Sequence, residues 1–251
     1  MEKSRIDWTD STWNPVTGCY HGCKYCYAKG ITARFGDFMC IDGENIKTVP
    51  GRDGRVCVEV THKTESPYPE KFTPTLHRNR LKAYVKKKGR VIFVCSMADL
   101  FGEWVPDEWI RAVFEACAEA PQHKYLFLTK NPARYEELEK RGELPASDNM
   151  WYGYSYTGIE SARYWSEERN VFISMEPLLK PVEVPPADWV IIGAETGRRK
   201  EKVVPERGWI ESIVDAGRKR NVPIFMKESL RDIWGEPIIQ EYPEKVKVSP
   251  W

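Results

Sequence analysis

The sequence predicts an α/β fold, a (β/α) barrel that is closed or nearly closed, and three observations predict it. Seven short runs rich in β-branched and aromatic residues recur from residue 56 onward. Most are continuously apolar, as strands of a parallel sheet covered on both faces have to be. Segments with helical periodicity separate several of them, and 251 residues suit one barrel domain spanning residues 1–251.

Taken in order, residues 5–16 form a short aromatic segment, within which Trp13 to Val16 reads as a first strand. A cysteine loop follows at 17–28, TGCYHGCKYCYA, and the run after Cys26 looks helical as far as Gly36. Residues 37–54, rich in Gly and Asp and holding Cys40, read as an irregular insertion. The strand candidates are then VCVEV (56–60), VIFVC (91–95), KYLFLT (124–129), MWYGYS (150–155), VFISM (171–175), WVIIG (189–193) and VPIFM (222–226). Between them, 107–120 places Ile110, Val113, Phe114 and Cys117 at i, i+3, i+4 and i+7, with Pro106 suited to a helix start. Asn131 is a candidate cap for NPARYEELEKR. Residues 206–220 repeat the helical pattern with Trp209, Ile210, Ile213 and Val214.

Charge and targeting signals narrow the function classes. Lys and Arg number 38 against 37 Asp and Glu, which argues against a surface that grips nucleic acid or membrane everywhere by charge. No run of eighteen apolar residues exists, and the start lacks the apolar core of a signal peptide, so a cytoplasmic protein without membrane contact is expected. Seven cysteines in such a chain speak for metal binding over a disulfide scaffold.

Three of those cysteines, Cys19, Cys23 and Cys26, are spaced C-x-x-x-C-x-x-C, with Gly18 and Gly22 letting the backbone turn tightly. Thiolates this close suit zinc or an iron–sulfur cluster. Zinc would want a fourth ligand, for which Cys40, Cys57, His21 and His62 are candidates. A four-iron cluster held by three cysteines keeps one iron open to an external ligand. Cys117 and Cys95 read as core, and Cys40 and Cys57 as structural or incidental.

The stretch CYHGCKYC resembles the C-x-x-x-C-x-aromatic-C signature of radical S-adenosylmethionine enzymes, with Tyr25 as the aromatic. The phrases DWTDSTWNPVTGC, VCSMADLFGEWVPDEWI, APQHKYLFLTKNP, ISMEPLL and VIIGAETG extend the likeness to the phage-associated three-Cys-motif radical-SAM-like family. The resemblance implies a [4Fe–4S] cluster on Cys19, Cys23 and Cys26, whose open iron binds S-adenosyl-L-methionine. Reduction would then cleave a carbon–sulfur bond and give a 5′-deoxyadenosyl radical, with a reductant protein or small electron donor as partner. It gives a cofactor more than a reaction.

In a (β/α) barrel the chemistry sits past the C-terminal ends of the strands. Asp99, Lys130 and Lys227 stand there as candidate catalytic residues, and Ser155, Thr157, Glu176 and Glu195 as candidate cofactor-binding residues. Lys227 would meet a carboxylate or phosphate, or neutralise Glu195. The bland alternative for the two glutamates is a carboxylate satisfying backbone donors at the rim. His123 precedes its strand and falls at the opposite face. The basic run 86–90 reads as a solvated helix end, and 198–202 as a phosphate contact beside the site. A nucleic acid or nucleotide is the leading substrate expectation and a peptide the next; a partner protein is a separate expectation. The rival reading is a non-catalytic zinc-binding barrel that recognises a ligand.

Overall fold

The computed structural model describes residue 4 and residues 6–36, 45–160, 162–197 and 200–248. In chain order its elements are β1 (Ser11–Trp13), β2 (Val16–Thr17), α1 (Tyr27–Phe35), β3 (Ile46–Pro50), β4 (Val56–Val60), β5 (Thr75–His77) and β6 (Val91–Val94). There follow α2 (Asp107–Ala118), β7 (Lys124–Thr129), α3 (Ala133–Lys140), β8 (Met150–Ser155), β9 (Asn170–Met175), β10 (Trp189–Ile192), α4 (Arg207–Arg220), β11 (Ile224–Met226) and α5 (Arg231–Trp234).

Seven strands form one parallel sheet in the order β1-β6-β7-β8-β9-β10-β11. The expected (β/α) barrel is thereby corrected: the sheet curls into a half-barrel, and its edge strands β1 and β11 do not pair. Among the described residues, helices connect neighbouring sheet strands after β6, β7 and β10, and α1 lies within the long β1–β6 connection that also builds the second sheet. The physical reason lies in the connections. The stretch between β9 and β10 carries Pro177, Pro181, Pro185 and Pro186, each lacking a backbone donor and restricting its predecessor. The stretch after β8 has no 3.6-residue apolar period.

A second, four-stranded sheet has the order β2-β5-β4-β3. VCVEV, expected as a barrel strand, is its β4, parallel to β5 and antiparallel to β3. The segment 45–54 of the expected insertion therefore contains a paired strand, while 37–44, with Cys40, lies outside the described residues. The expected single first strand is two, because the chain changes sheets at Asn14 and Pro15. Asn131 does not cap α3; its side chain donates to the Phe101 carbonyl. The basic run 86–90 does not end a helix; a 3-10 turn at Arg78–Arg80 stops well before it.

Strand alternation sorts the sheet into two faces. Ile92, Phe127, Tyr152, Ile173 and Ile192 point to the layer shared with the helices and the second sheet. Phe93, Leu126, Trp151, Phe172, Trp189 and Phe225 line the concave face, which Trp8 and Val246 fill from the flanking segments. A Cβ on Gly153 would stand 2.2 Å from the Phe172 ring, so the concave layer requires that glycine. The two flanks lie across the open side of the sheet: Tyr242 donates to the Asp7 carbonyl, and the Glu228 N–H donates to the Asp7 carboxylate. Phe225 forms an antiparallel bridge with Gln240.

Candidate active site

Above that aromatic plug, at the C-terminal ends of the strands, lies a cavity of about 720 Å³. This is within the range of pockets that enclose small organic ligands. Cys19, Cys23 and Cys26 line it, together with Asp99, Lys130, Ser155, Glu176, Glu195 and Lys227. Nine of the ten expected site residues are thus brought together. Thr157 is the exception: it is fully buried, and its hydroxyl and N–H both bond the Glu160 carboxylate, which makes it part of a turn.

The cysteine loop has three separate supports. The Cys19 N–H donates to the Phe72 carbonyl. His21 Nε2 lies 2.7 Å from Asp99 Oδ2. Cys26 caps α1, its Sγ accepting from the Lys29 N–H at 3.4 Å. The expectation of metal binding is corrected to this extent: among the described residues no three His, Cys, Asp or Glu side chains are grouped to hold a metal ion. Tetrahedral zinc, with sulfur bonds of about 2.3 Å, would draw its sulfurs within roughly 4 Å of one another. The thiols do feel one another. Burial, then the Asp99 charge, with smaller contributions from Cys23 and Cys26, pushes Cys19 up to about 12. Burial also raises Cys23, opposed by the Lys130 ammonium.

Asp99, only 5% exposed, is saturated. Besides His21, its carboxylate accepts from the Thr129 hydroxyl at 2.7 Å, the Phe101 N–H at 3.0 Å and the Lys130 N–H at 2.8 Å. Burial works against its charge, but these bonds, led by His21, hold the carboxyl below the usual range. It ties the cysteine loop to the ends of β6 and β7, which is a positioning role. Lys130 donates from Nζ to the Tyr25 hydroxyl at 3.0 Å. Burial opposes this ammonium too, yet the Tyr25 bond leaves its pKa above the usual value.

On the other wall Lys227 Nζ lies 2.5 Å from Glu176 Oε1. The cation pairs there, with Glu176, rather than neutralising Glu195 as one expectation had it. Gly193 makes room for both side chains, since a Cβ there would come within 3.1 Å of Lys227 Cδ and 3.0 Å of Glu176 Cγ. Glu195 is buried at the cavity wall.

Several lining residues were not singled out from sequence. Ile6 and Trp8 line the cavity from the N-terminal segment, and Tyr27 from α1, its hydroxyl donating to the Ser96 carbonyl at 2.5 Å, while Ser174 lines it from β9 in the polar strand-end stretch that holds Glu176. The aromatic segment 5–16, with Trp8 and Trp13, was the available signal. Other expectations fall outside the cavity. Cys57, Cys95 and Cys117 are buried, the Cys57 thiol contacting the Trp104 carbonyl. His123 is buried against the Tyr84 carbonyl, and His62 is exposed beside Thr61. Of the run 198–202, residues 200–202 are described and exposed. No described helix is long and apolar enough to cross a membrane.

Fold and site together define an α/β half-barrel protein with a cysteine loop over a cavity at the C-terminal edge of a parallel sheet. The chain belongs to the DUF5131 family of proteins of unknown function, whose family model matches residues 3–245. No curated protein and no solved structure matches it.

Proposed function

We propose that this protein is a radical S-adenosylmethionine enzyme working on an open half-barrel. The observation that carries the reading is that all three cysteines of the C-x-x-x-C-x-x-C loop line the cavity at the C-terminal sheet edge. The donor set fits a [4Fe–4S] cluster in kind: three soft thiols, near enough to influence one another yet not closed around a point. Cys19, Cys23 and Cys26 would hold it. When bound, the reduced cluster supplies the electron that cleaves the carbon–sulfur bond of S-adenosylmethionine.

The chain's own residues do the rest. Asp99 and His21 fix the loop, and Tyr25 with Lys130 fixes its middle. Glu176 and Lys227 offer opposite charges to the amino and carboxylate ends of an amino-acid group, while Ser155, Ser174 and Glu195 offer hydrogen-bonding partners. The aromatic plug below excludes water from the cavity floor, which preserves a reactive intermediate. A nucleic acid or nucleotide is the substrate class this reading favours, with the electron delivered by a reductant protein or small donor.

Anaerobic reconstitution, followed by iron, sulfide and zinc analysis and electron paramagnetic resonance of the reduced protein, tests the proposal. About four irons per chain, with a spectrum that changes on adding S-adenosylmethionine, is the expected result. One zinc without sulfide or cofactor response would overturn it.

A further inference from the structure

We infer that the face of α1 beside the cavity mouth, with Lys24 of the cysteine loop, docks single-stranded nucleic acid. The inference rests on the proposed function only in taking the cavity as the reactive site. Its first support is charge. From Ser11 to Gly36 the chain has no Asp or Glu, although the whole protein is almost neutral, with 38 basic and 37 acidic residues. Lys24 and Arg34 are both exposed. Neither belongs to an ion pair among the described residues. Such a strip attracts anions and has no internal use for its charge.

The second support is the aromatic surface between these cations. Tyr27 is 56% exposed at the mouth of the cavity, yet its hydroxyl is tied to the Ser96 carbonyl. The ring is therefore held in place with surface free for stacking. Phe35, 61% exposed, ends the same helix, with the Arg34 guanidinium 5.6 Å from its ring centre. Eight residues of helix separate the two rings by about 12 Å. Tyr27, Ile31 and Arg34, at i, i+4 and i+7, share one face, whereas Lys29, at i+2, lies on the opposite side of the helix and takes no part in it. Gly30 lies on that face too, and a Cβ there would meet nothing within 4 Å. The strip is thus open between its aromatic and its cations.

Cations spaced along exposed rings are what a single strand requires, because each base stacks on a ring while its phosphate meets a Lys or Arg. Duplex bases are already stacked on one another, and an acidic peptide has no base to offer. A strand lying on α1 would bring the nucleotide at Tyr27 to the cavity mouth.

Fluorescence anisotropy of a labelled ten-nucleotide oligothymidylate on the full chain tests this at two salt concentrations. Two phosphate contacts, Lys24 and Arg34, give a single-strand salt slope of roughly −1.4, so binding weakens about sevenfold between 50 and 200 mM salt. The Arg34→Gln variant leaves one contact, and the same change of salt then weakens binding only about threefold. Tyr27→Ala weakens binding at least about fivefold while leaving the salt slope unchanged, which separates stacking from charge. The inference is overturned if wild-type protein fails to bind the oligonucleotide, if both variants bind like wild type, or if polyglutamate binds equally well. Iron content after reconstitution is measured on the same samples. Iron without oligonucleotide binding sinks this inference alone, and oligonucleotide binding without iron sinks the proposed chemistry alone.

Discussion

Replacing Asp99 by Ala removes the tie between the cysteine loop and the sheet, and the structure sets the cost. Four donors converge on this carboxylate: His21, the Thr129 hydroxyl and the Phe101 and Lys130 N–H groups. His21 is partly exposed and can turn to water. The Thr129 hydroxyl is buried and has to seek another acceptor. The two N–H groups cannot turn, and an orphaned buried donor costs about 1–3 kcal/mol. Together with the lost charge-assisted bonds, Asp99→Ala destabilises the fold by roughly 3–5 kcal/mol. At about 2–4 °C per kcal/mol for a chain of this size, the melting temperature falls by roughly 10 °C. His21→Ala loses one bond from a half-exposed group and lowers it by only about a third as much. The depressed Asp99 pKa gives the sign of the pH dependence: the stabilisation is present above the ordinary carboxyl pKa near 4 and is lost as pH falls through the lower folded value. Calorimetric melts of wild type and both variants at neutral pH make the comparison. An Asp99→Ala melt within about 2 °C of wild type would refute the positioning role.

Three further outcomes are expected. Burial pushes His77 down to about 3, so the unfolded chain binds one more proton than the folded one between that pH and about 6.5, and stability falls by roughly 5 kcal/mol as pH drops across the interval. Urea titrations at pH 7 and pH 4.5 should show that loss shrinking in His77→Gln; an unchanged pH dependence would show that another group carries it. Gly153→Ala drives a methyl into the Phe172 ring and costs about 1–3 kcal/mol, read as a lower denaturation midpoint, and a neutral effect would disprove the tight concave layer. Ala at Glu176, Glu195 or Lys227 abolishes S-adenosylmethionine binding in equilibrium dialysis while leaving iron per chain unchanged, and wild-type affinity in all three would move the site elsewhere.

Local pattern carried much of this protein. Continuous apolar runs identified the strands from β6 to β11, because both faces of a curled parallel sheet are buried. The amphipathic periods of α2 and α4 identified those helices, and the cysteine spacing located the loop that lines the cavity. Polar residues just beyond apolar runs identified the charged and hydroxyl side chains of the cavity rim, since a strand end is where a buried chain first meets open space. What the sequence alone could not determine was which edges meet. VCVEV reads like any sheet strand, and its pairing with β3 and β5 was decided by contacts distant in sequence. Closure depended likewise on whether the β1 and β11 edges came within hydrogen-bonding distance. Tertiary structure left them apart, with Trp8 and Val246 filling the concave side. It also chose the partners of the charges. Asp99 received His21 and two N–H groups, and Lys227 received Glu176, because ion pairs and hydrogen bonds are made across a few ångströms of space that sequence separation does not specify.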